Sequence, residues 1–496
     1  MLKKIIFTAV ILIIGIVTGK FLFGSTDHTV MPSPNDLYRN TGSKGTSNLM
    51  QEKQFNGTIH EVKNGGLIQD AVKKAVPGDL IRVFPGTYKE TVYIDKDDIS
   101  FQGIIKEGEW PVLNGSKELN DAFLYSGNGI RIENFKIVNY KGNGIMGQAG
   151  NNFVLRNNWI IDAGVYGIFP QYGMNGLIEH NMLTGIEDAA IYVGMCENID
   201  VLHNEVYGNV AGIEIENSRH CLVENNLAYD NTGGILAFIT PGLPIKTTFD
   251  VIIRNNFVNK NNHENFGAPG SIVSGIPPGT GILVMAADDV IIENNIITGN
   301  DNAGIIITDF KNGGAEASND PDSEPNPDRI VLLDNFMIDN GNNPVGELKA
   351  LMLTQLSTKG PDILAIGGGE GSSIRDKERY RTWGLGNFGN AEVAGTGDVK
   401  SFLLDQPAEP REISKKDLGE MIYYGICSGC HAYDIRLIGV PMNVIQMIYK
   451  DNPQGIVDYI THPKNLREDY PEMPPQDYLS EEAKIAVAEY ILTLKK

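Results

Sequence analysis

The chain has 496 residues, with 41 Lys and Arg against 62 Asp and Glu, a net charge of −21 and an isoelectric point near 4.8. That length supports at least two domains and a large core, and an acidic balance with no basic patch excludes nucleic acid as a partner. The 56 Gly and the many Asn favour a turn-rich chain over a helical one.

At the N-terminus, Lys3 and Lys4 precede an apolar run from Ile5 to Val17, the pattern of an export signal. No small-x-small cleavage pattern is clear, and apolar character resumes in "FLFG" after Lys20. Residues 1–24 therefore read as a signal peptide or an N-terminal membrane anchor. Lys3 and Lys4 would stay cytoplasmic and the remainder would face outward. No Cys lies near the signal, which excludes a lipoprotein anchor. Residues 25–55 are polar, rich in Ser, Thr, Asn and Gly, and read as a linker.

The middle of the chain repeats. "NNFVLRNNWIIDAGVYGIF", "MNGLIEHNMLTGIEDAAIYV", "ENIDVLHNEVYGNVAGIEI" and "HCLVENNLAYDNTGGILAF" follow one another, and "DVIIRNNFVNKN" and "DVIIENNIITGNDNAGIIIT" continue the series. One Asn recurs at 158, 181, 204, 226, 256, 295 and 335. A period near 23 with short apolar alternations signals a solenoid. There is no Leu ladder for a leucine-rich repeat and no 3.6 periodicity for a helical one. Each unit holds strand-like runs, one ending in Asn and one shaped G-I-x-I/V. A parallel β-helix fits, with Asn at bends that favour the left-handed region. Stacked coils would bring these Asn into register as a hydrogen-bonded, purely architectural ladder. Cys196 and Cys221 fall in strand-like runs and read as two buried free thiols.

The open end of such a stack needs a cover. "GLIQDAVKKAVPGDLIRVFPGTYKETVYI" supplies a helical piece, Ile68 to Ala75, then a strand and a turn. This stretch resembles the start of the pectin-lyase-like right-handed β-helix proteins. "NFGAPGSIVSGIPPGTGILVMAADDVIIENN" resembles a family of bacterial exported β-helix repeat proteins. The resemblance spans residues 56–345 and implies a right-handed parallel β-helix. It implies no reaction, because that fold serves lyases, hydrolases, epimerases and non-enzymes.

Strand alternation gives one outer face. With Ile168, Ile191, Ile213, Ile235, Ile282 and Ile305 inward, Phe169, Tyr192 and Glu214 point out, and Glu216 and Phe238 follow two residues on. Coils lie about 4.8 Å apart, so Phe169, Tyr192, Glu214, Glu216 and Phe238 should share one exposed patch. Aromatic rings beside carboxylates suit a sugar, and a carboxylate pair could do acid–base work. A protein-docking face is the plainer reading. Insertions at 239–249, 257–280 and 309–328 could wall the groove. Asp188, Glu187 and Arg219 are nearby candidates that no spacing singles out. "YGIFPQYG" (166–173) is similar to the catalytic stretch of alginate C5-epimerases, but Phe169, Gln171 and Tyr172 replace its acidic and histidine groups, so that activity does not carry over. "NGGAEASNDPDSEPNPD" (312–328) could bind calcium, though its composition is that of a surface loop. The β-helix with an irregular, Gly-rich C-terminal cap is placed at 56–400, and "LLDQPAEP" reads as a linker.

Residues 411–496 turn helical, with apolar spacing in "ISKKDLGEMIYYGI" and "SEEAKIAVAEYILTLKK" and Ser480 as an N-cap. Between them lies Cys427-Ser-Gly-Cys430-His431. Cys-x-x-Cys alone suits a redox dithiol or half a zinc site. The region offers only His462 as a further zinc ligand and no βαβ context. The adjacent His makes this the attachment signature of covalent haem c, with Cys427 and Cys430 as thioether positions and His431 on the iron. Gly419, Tyr423, Cys427 and Tyr490 then resemble the class I cytochromes c. That resemblance implies an all-α cytochrome c domain over 411–496 and makes Met473, in "YPEMPP", the sixth ligand. Met442, Met447 and His462 are rivals, Met447 being better placed for core packing. Haem is attached outside the cytoplasmic membrane, in the periplasm or its equivalent.

Two functions follow as expectations. The first is an exported monohaem electron-transfer protein whose β-helix is a carbohydrate- or protein-binding scaffold, serving a redox partner in the cell envelope. The alternative is a carbohydrate-active enzyme, a lyase, epimerase or oxidative enzyme, whose β-helix face is catalytic and whose cytochrome is its electron relay.

Overall fold

The computed structural model describes residues 49, 56–314, 320–411, 417–467 and 469–495. The export segment and nearly all of the linker after it lie outside the described residues. Alternating apolar positions and short period-two runs become three all-parallel sheets of thirteen, eleven and ten strands. Each coil lays one strand in each sheet. Tyr166–Gln171, Met174–Glu179 and Met182–Thr184 are followed one coil on by Ala189–Gly194, Glu197–Leu202 and Glu205–Tyr207. The register carries Ile168 onto Ile191, Ile213, Ile235, Ile282 and Ile305. All six are fully buried in one continuous core. The parallel β-helix expected from the repeat is the fold.

The recurring Asn stack as a ladder. Asn158, Asn181, Asn204, Asn226, Asn256 and Asn295 each donate Nδ2–H to the Oδ1 of the next, at 3.0–3.1 Å. A second ladder, missed in the sequence, runs five residues later through Asn209, Asn231, Asn261, Asn300 and Asn340. The left-handed residue is not the ladder Asn but the one before it. Asn157, His180, His203, Asn225, Asn255, Asn294 and Asp334 all have φ between 50° and 57°. The bend needs a residue that tolerates positive φ, and the ladder Asn, turned inward, needs its amide for the stack.

Helix Ile68–Lys74 covers the first end of the core with Ile68, Ala71 and Val72. Its first backbone N–H groups donate to the Glu90 carboxylate at 2.8 and 2.9 Å, which answers groups that a helix start leaves unpaired. Strands continue to Gly389–Asn390. The segment after them is strapped to the outside of the thirteen-stranded sheet instead of hanging free. Arg254 donates to the Val399 carbonyl, Ser401 Oγ to Asp200, Asn198 to the Phe402 carbonyl, and Asn152 to the Ala408 carbonyl. The chain thus walks back, coil by coil, to Arg411, which donates to the Ala149 carbonyl at 2.6 Å.

This path delivers a small helical part, the described residues from 417 to 495, to the middle of the eleven-stranded sheet. Leu418–Ile422 runs directly into a π turn, Tyr423–Cys427, and Met442–Ile448, Pro453–Thr461 and Glu481–Thr493 follow. Ser480 Oγ caps the last helix by accepting from Ala483 N at 3.1 Å. Gly419 stands where the first of these helices crosses the last, since a Cβ there would come within 2.2 Å of the Ala486 carbonyl oxygen. No helix of the described residues is long and apolar enough to cross a membrane.

Candidate active site

The sheet register decides which outward side chains meet. Tyr192 pairs with Glu214, Gly194 with Glu216, Glu214 with Leu236, and Glu216 with Phe238. Phe169 packs edge-on against Tyr192 at 4.8 Å, and Tyr166 stacks on Tyr192 at 4.5 Å. So Phe169, Tyr192, Glu214, Glu216 and Phe238 do share one face. The expectation that the face is exposed is wrong: these five are 1, 2, 1, 5 and 4% exposed.

The cover is the C-terminal helical part together with the 257–280 insertion. Gly429, inside the Cys-x-x-Cys-His turn, rests on Phe169, and a Cβ there would lie 2.6 Å from the ring. Gln171 donates to the Tyr424 carbonyl and to Ser428 Oγ, and Gln148 donates to Tyr478 Oη at 2.6 Å. Tyr93 packs on Tyr478 and Tyr172 on Tyr424. Tyr433 N donates to the Gly242 carbonyl.

Beneath this cover lies a small cavity of about 20 Å³, room for a water molecule or two. Tyr166, Asp188, Tyr192, Glu214, Glu216 and Phe238 form its floor. Ser271, Ile272 and Val273 wall one side, and Gly429, Leu437 and Ile438 close the top. Asp188 occupies the coil position held by Val165 and Val210 in the neighbouring coils. A lone carboxylate in an apolar row was the sequence signal that could have singled it out. Glu187 is exposed, and Arg219 is engaged with Glu197 at 3.1 Å.

Three buried carboxylates with no cation among them hold protons strongly. Burial, and then the charge of Glu216, pushes Asp188 well above the usual carboxylate range. Burial, then Asp188 and Glu216, does the same to Glu214. Burial lifts Glu216 to about 7, offset in part by the hydroxyls of Thr240 and Tyr192 beside it. Glu214 Oε1 has no hydrogen-bond partner, an arrangement that costs stability.

The Cys-x-x-Cys-His turn borders the same cavity. The N–H groups of Cys430 and His431 both donate to the Cys427 carbonyl, so the two thiols sit one turn apart. Burial raises both thiols to about 12, helped at Cys427 by Cys430 and at Cys430 by Asp188 and Asp121. Burial lowers His431, against the pull of the Val440 carbonyl, so its ring is neutral at pH 7. Its Nδ1 lies 2.7 Å from that carbonyl, which leaves Nε2 as the lone-pair nitrogen. These residues fit a covalent haem: two free thiols at the right spacing and an oriented imidazole. Met473 packs in the same apolar cluster as Cys427 and Met442. Met447, expected in the core, is 70% exposed, and His462 is exposed as well. Elsewhere, Asp288, Glu324 and Asp328 bring carboxylate oxygens within 4.8 Å of one another, next to the segment considered for calcium. Arg329 answers Asp288 at 2.9 Å, so a protein cation already serves that site.

The model of the right-handed β-helix region matches residues 118–239 and 175–320. No curated protein matches. Among solved structures, the chain is similar to the A-module of mannuronan C-5 epimerase AlgE4 from Azotobacter vinelandii, at 14% identity over 64% of this chain and 86% of that one, TM-score 0.41. It is similar to alginate lyase from Paenibacillus sp. str. FPU-7 at 15% identity, 58% and 98% coverage and TM-score 0.40. DFA-IIIase from Arthrobacter chlorophenolicus A6 gives 13%, 65% and 94%, TM-score 0.41. At these values the likeness is one of fold. The first functional expectation, an electron carrier on a passive scaffold, is nonetheless corrected. The surface assigned to docking is itself covered, its carboxylates buried beneath the C-terminal part.

Proposed function

We propose that the protein is an exported carbohydrate-active enzyme whose active site is the carboxylate cavity of the eleven-stranded sheet. One observation carries the reading: Asp188, Glu214 and Glu216 are buried together around a cavity with Glu214 Oε1 unpartnered. Buried carboxylates without counter-charge destabilise a fold, and strongly shifted proton affinity in a cleft is the mark of acid–base chemistry.

Glu214 and Glu216 stand on one side of one strand, their Cα atoms about 6.6 Å apart. Two carboxyls so placed can divide acid and base roles around a sugar carbon. Asp188 and Glu214, whose carboxyls burial holds well above the usual carboxylate range, are suited to donate a proton, and Glu216, near 7, is suited to give or take one during turnover. The Tyr166, Tyr192 and Phe238 rings supply apolar wall for the C–H faces of a sugar. The C-terminal part excludes water and so strengthens each interaction inside.

In the same proposal the C-terminal part is a cytochrome c domain in which Cys427, Cys430, His431 and Met473 would hold one haem c. When bound, that group supplies one-electron exchange. The chain's own contribution is the Val440 carbonyl that fixes the imidazole and the Gly429 contact that seats the turn on the β-helix.

The full chain, incubated with a panel of glycans and followed by mass spectrometry, should form products, and Glu214→Gln with Glu216→Gln should abolish them while the protein still melts cooperatively. Unchanged turnover in the double variant overturns the reading. Protein exported from a host competent in haem maturation should give a c-type pyridine-haem spectrum, and its absence overturns the cofactor assignment. Met473→Ala should remove the absorption band of Met–iron ligation.

A further inference from the structure

Resting on the enzyme reading above, we infer that the C-terminal helical part is an autoinhibitory cover: docked, it keeps the acidic face closed, and the face takes a glycan only after the cover lifts. Tyr166, Tyr192, Glu214, Glu216 and Phe238 are all buried. The space left above them, about 20 Å³, takes a water molecule or two and no sugar ring. Chemistry on a sugar therefore requires an arrangement other than the docked one.

The cover is built to move as one body. Its core, with Ile422, Tyr423, Met442, Val457, Val487 and Ile491, includes no β-helix side chain among the described residues. The strap before it is fixed as far as Arg411, on the Ala149 carbonyl, so a lifted cover stays tethered beside its seat. The seam itself is a balance. Apolar contact holds it: Ile438 and Tyr478 pack on the aromatic face, and Met195 and Leu243 pack against Ala432 and Leu437. Gln171 adds bonds to the Tyr424 carbonyl and Ser428, and Arg436 one to the Pro269 carbonyl. Unpaired polar atoms oppose it. Among the described residues, Glu214 Oε1, Gln171 Oε1 and Ser271 Oγ are buried here without a hydrogen-bond partner. Each regains a partner when water enters, so docking carries a cost that lifting removes. A glycan that binds only the open face shifts this balance by its own affinity.

The test uses neighbouring residues on opposite sides of the sheet. Met195 lies under the cover beside Ser428, while Cys196, the next residue, and Cys221 lie in the inner core. The full chain carrying Met195→Cys is labelled with iodoacetamide in native buffer and mapped by peptide mass spectrometry. Position 195 should react at least about tenfold faster than Cys196 or Cys221, because lifting exposes the first and only unfolding exposes the others. The cover is then locked with Lys141→Cys and Glu472→Cys, joined by a short bis-maleimide across a rim where the parent side chains meet at 3.3 Å. Locking should bring labelling at 195 down to the core rate and abolish product formation on the glycan panel, while the same variant left unlinked keeps both. Labelling at 195 no faster than at Cys196 overturns the inference, whether or not products form. Equal product formation by locked and unlinked chains also overturns it and leaves the enzyme reading standing. No product from either chain, with position 195 labelled fast, overturns the enzyme reading and with it the autoinhibitory role, while the motion stands. If Met195→Cys fails to fold, peroxide oxidation of the native Met195 against Met442, which belongs to the helical part's own core, decides the same question.

Discussion

Two rows of buried polar side chains run along this solenoid, and they differ in one respect. The Asn ladder lies inside the coils, and each Nδ2 donates both to the next Asn and to a backbone carbonyl. Asn204, for example, reaches Asn226 Oδ1 and the Ile178 carbonyl, both at 3.0 Å. The acidic row lies under the C-terminal part, and its carboxylates face one another with an oxygen left over. Both rows are buried, so a polar atom left without a hydrogen-bond partner costs stability. The satisfied row is architecture. The unsatisfied row stores free energy that a ligand can release, which is why function is placed there.

Breaking the satisfied row should have the largest effect. Asn204→Ala removes the donors to Ile178 and Asn226 and also the acceptor used by Asn181 N and Nδ2. Several buried groups lose partners at once, for a cost of about 3–5 kcal/mol in denaturant unfolding. A loss below about 1 kcal/mol would mean that the ladder is incidental to stability.

Relieving the unsatisfied row should do the reverse. The Glu216 carboxyl is held at about 7 against an ordinary 4.5. Below 4.5 it is protonated in both folded and unfolded chains and costs nothing. As pH rises from 4.5 to about 7 the unfolded chain ionises first, so the folded state loses stability, and the loss is complete above 7. Glu216→Gln should therefore be more stable than the parent above pH 7, by up to about 3 kcal/mol, and equal to it at pH 4. Parallel stability curves for the two proteins across that range would show that burial does not load this group.

These two rows were not equally legible in the sequence. The ladder repeats, so Asn158 to Asn335 could be read off from spacing alone, together with the core Ile positions that share their period. The second ladder repeats as faithfully, five residues on, and went unread. The outer face could be lined up by the same period, which put Phe169, Tyr192, Glu214, Glu216 and Phe238 side by side. Its burial could not be read, because it depends on a strap and a helical part that pair with the sheet across more than 200 residues of sequence. Repetition encodes register, and nothing local encodes what lies on top of a repeat. Asp188 and Tyr166 belong to the cavity for that reason and carried no repeat signal beyond a carboxylate in a Val position.

The cover itself can be loosened at one atom. Gly429→Ala places a methyl 2.6 Å from the Phe169 ring and 3.2 Å from Gln171, in a contact with no slack. The helical part should lift from the sheet at a cost of about 1–3 kcal/mol. Amide exchange should then quicken in Tyr166–Gln171 and Ala189–Gly194 and stay slow in the inward Asn ladder. Equal acceleration in both would show that the two rows unfold as one unit and share their protection.

The smallest effect is expected at the rim of the same interface. Lys141 Nζ lies 3.3 Å from Glu472, with side chains 40 and 61% exposed. This pair links the β-helix to the loop that carries Met473, and on a diagram it resembles a clasp. Its energetics are those of a surface ion pair: water screens the attraction, and holding two long side chains in one geometry costs rotamer freedom. Lys141→Ala should shift stability by less than about 1 kcal/mol, and added salt should erase what remains. Docking instead depends on groups water cannot reach, Gln171 on Ser428 and Gly429 on Phe169. A Lys141→Ala variant whose cover opens as far as that of Gly429→Ala would reverse this ranking and make the interface electrostatic, with a strong dependence on ionic strength as its signature.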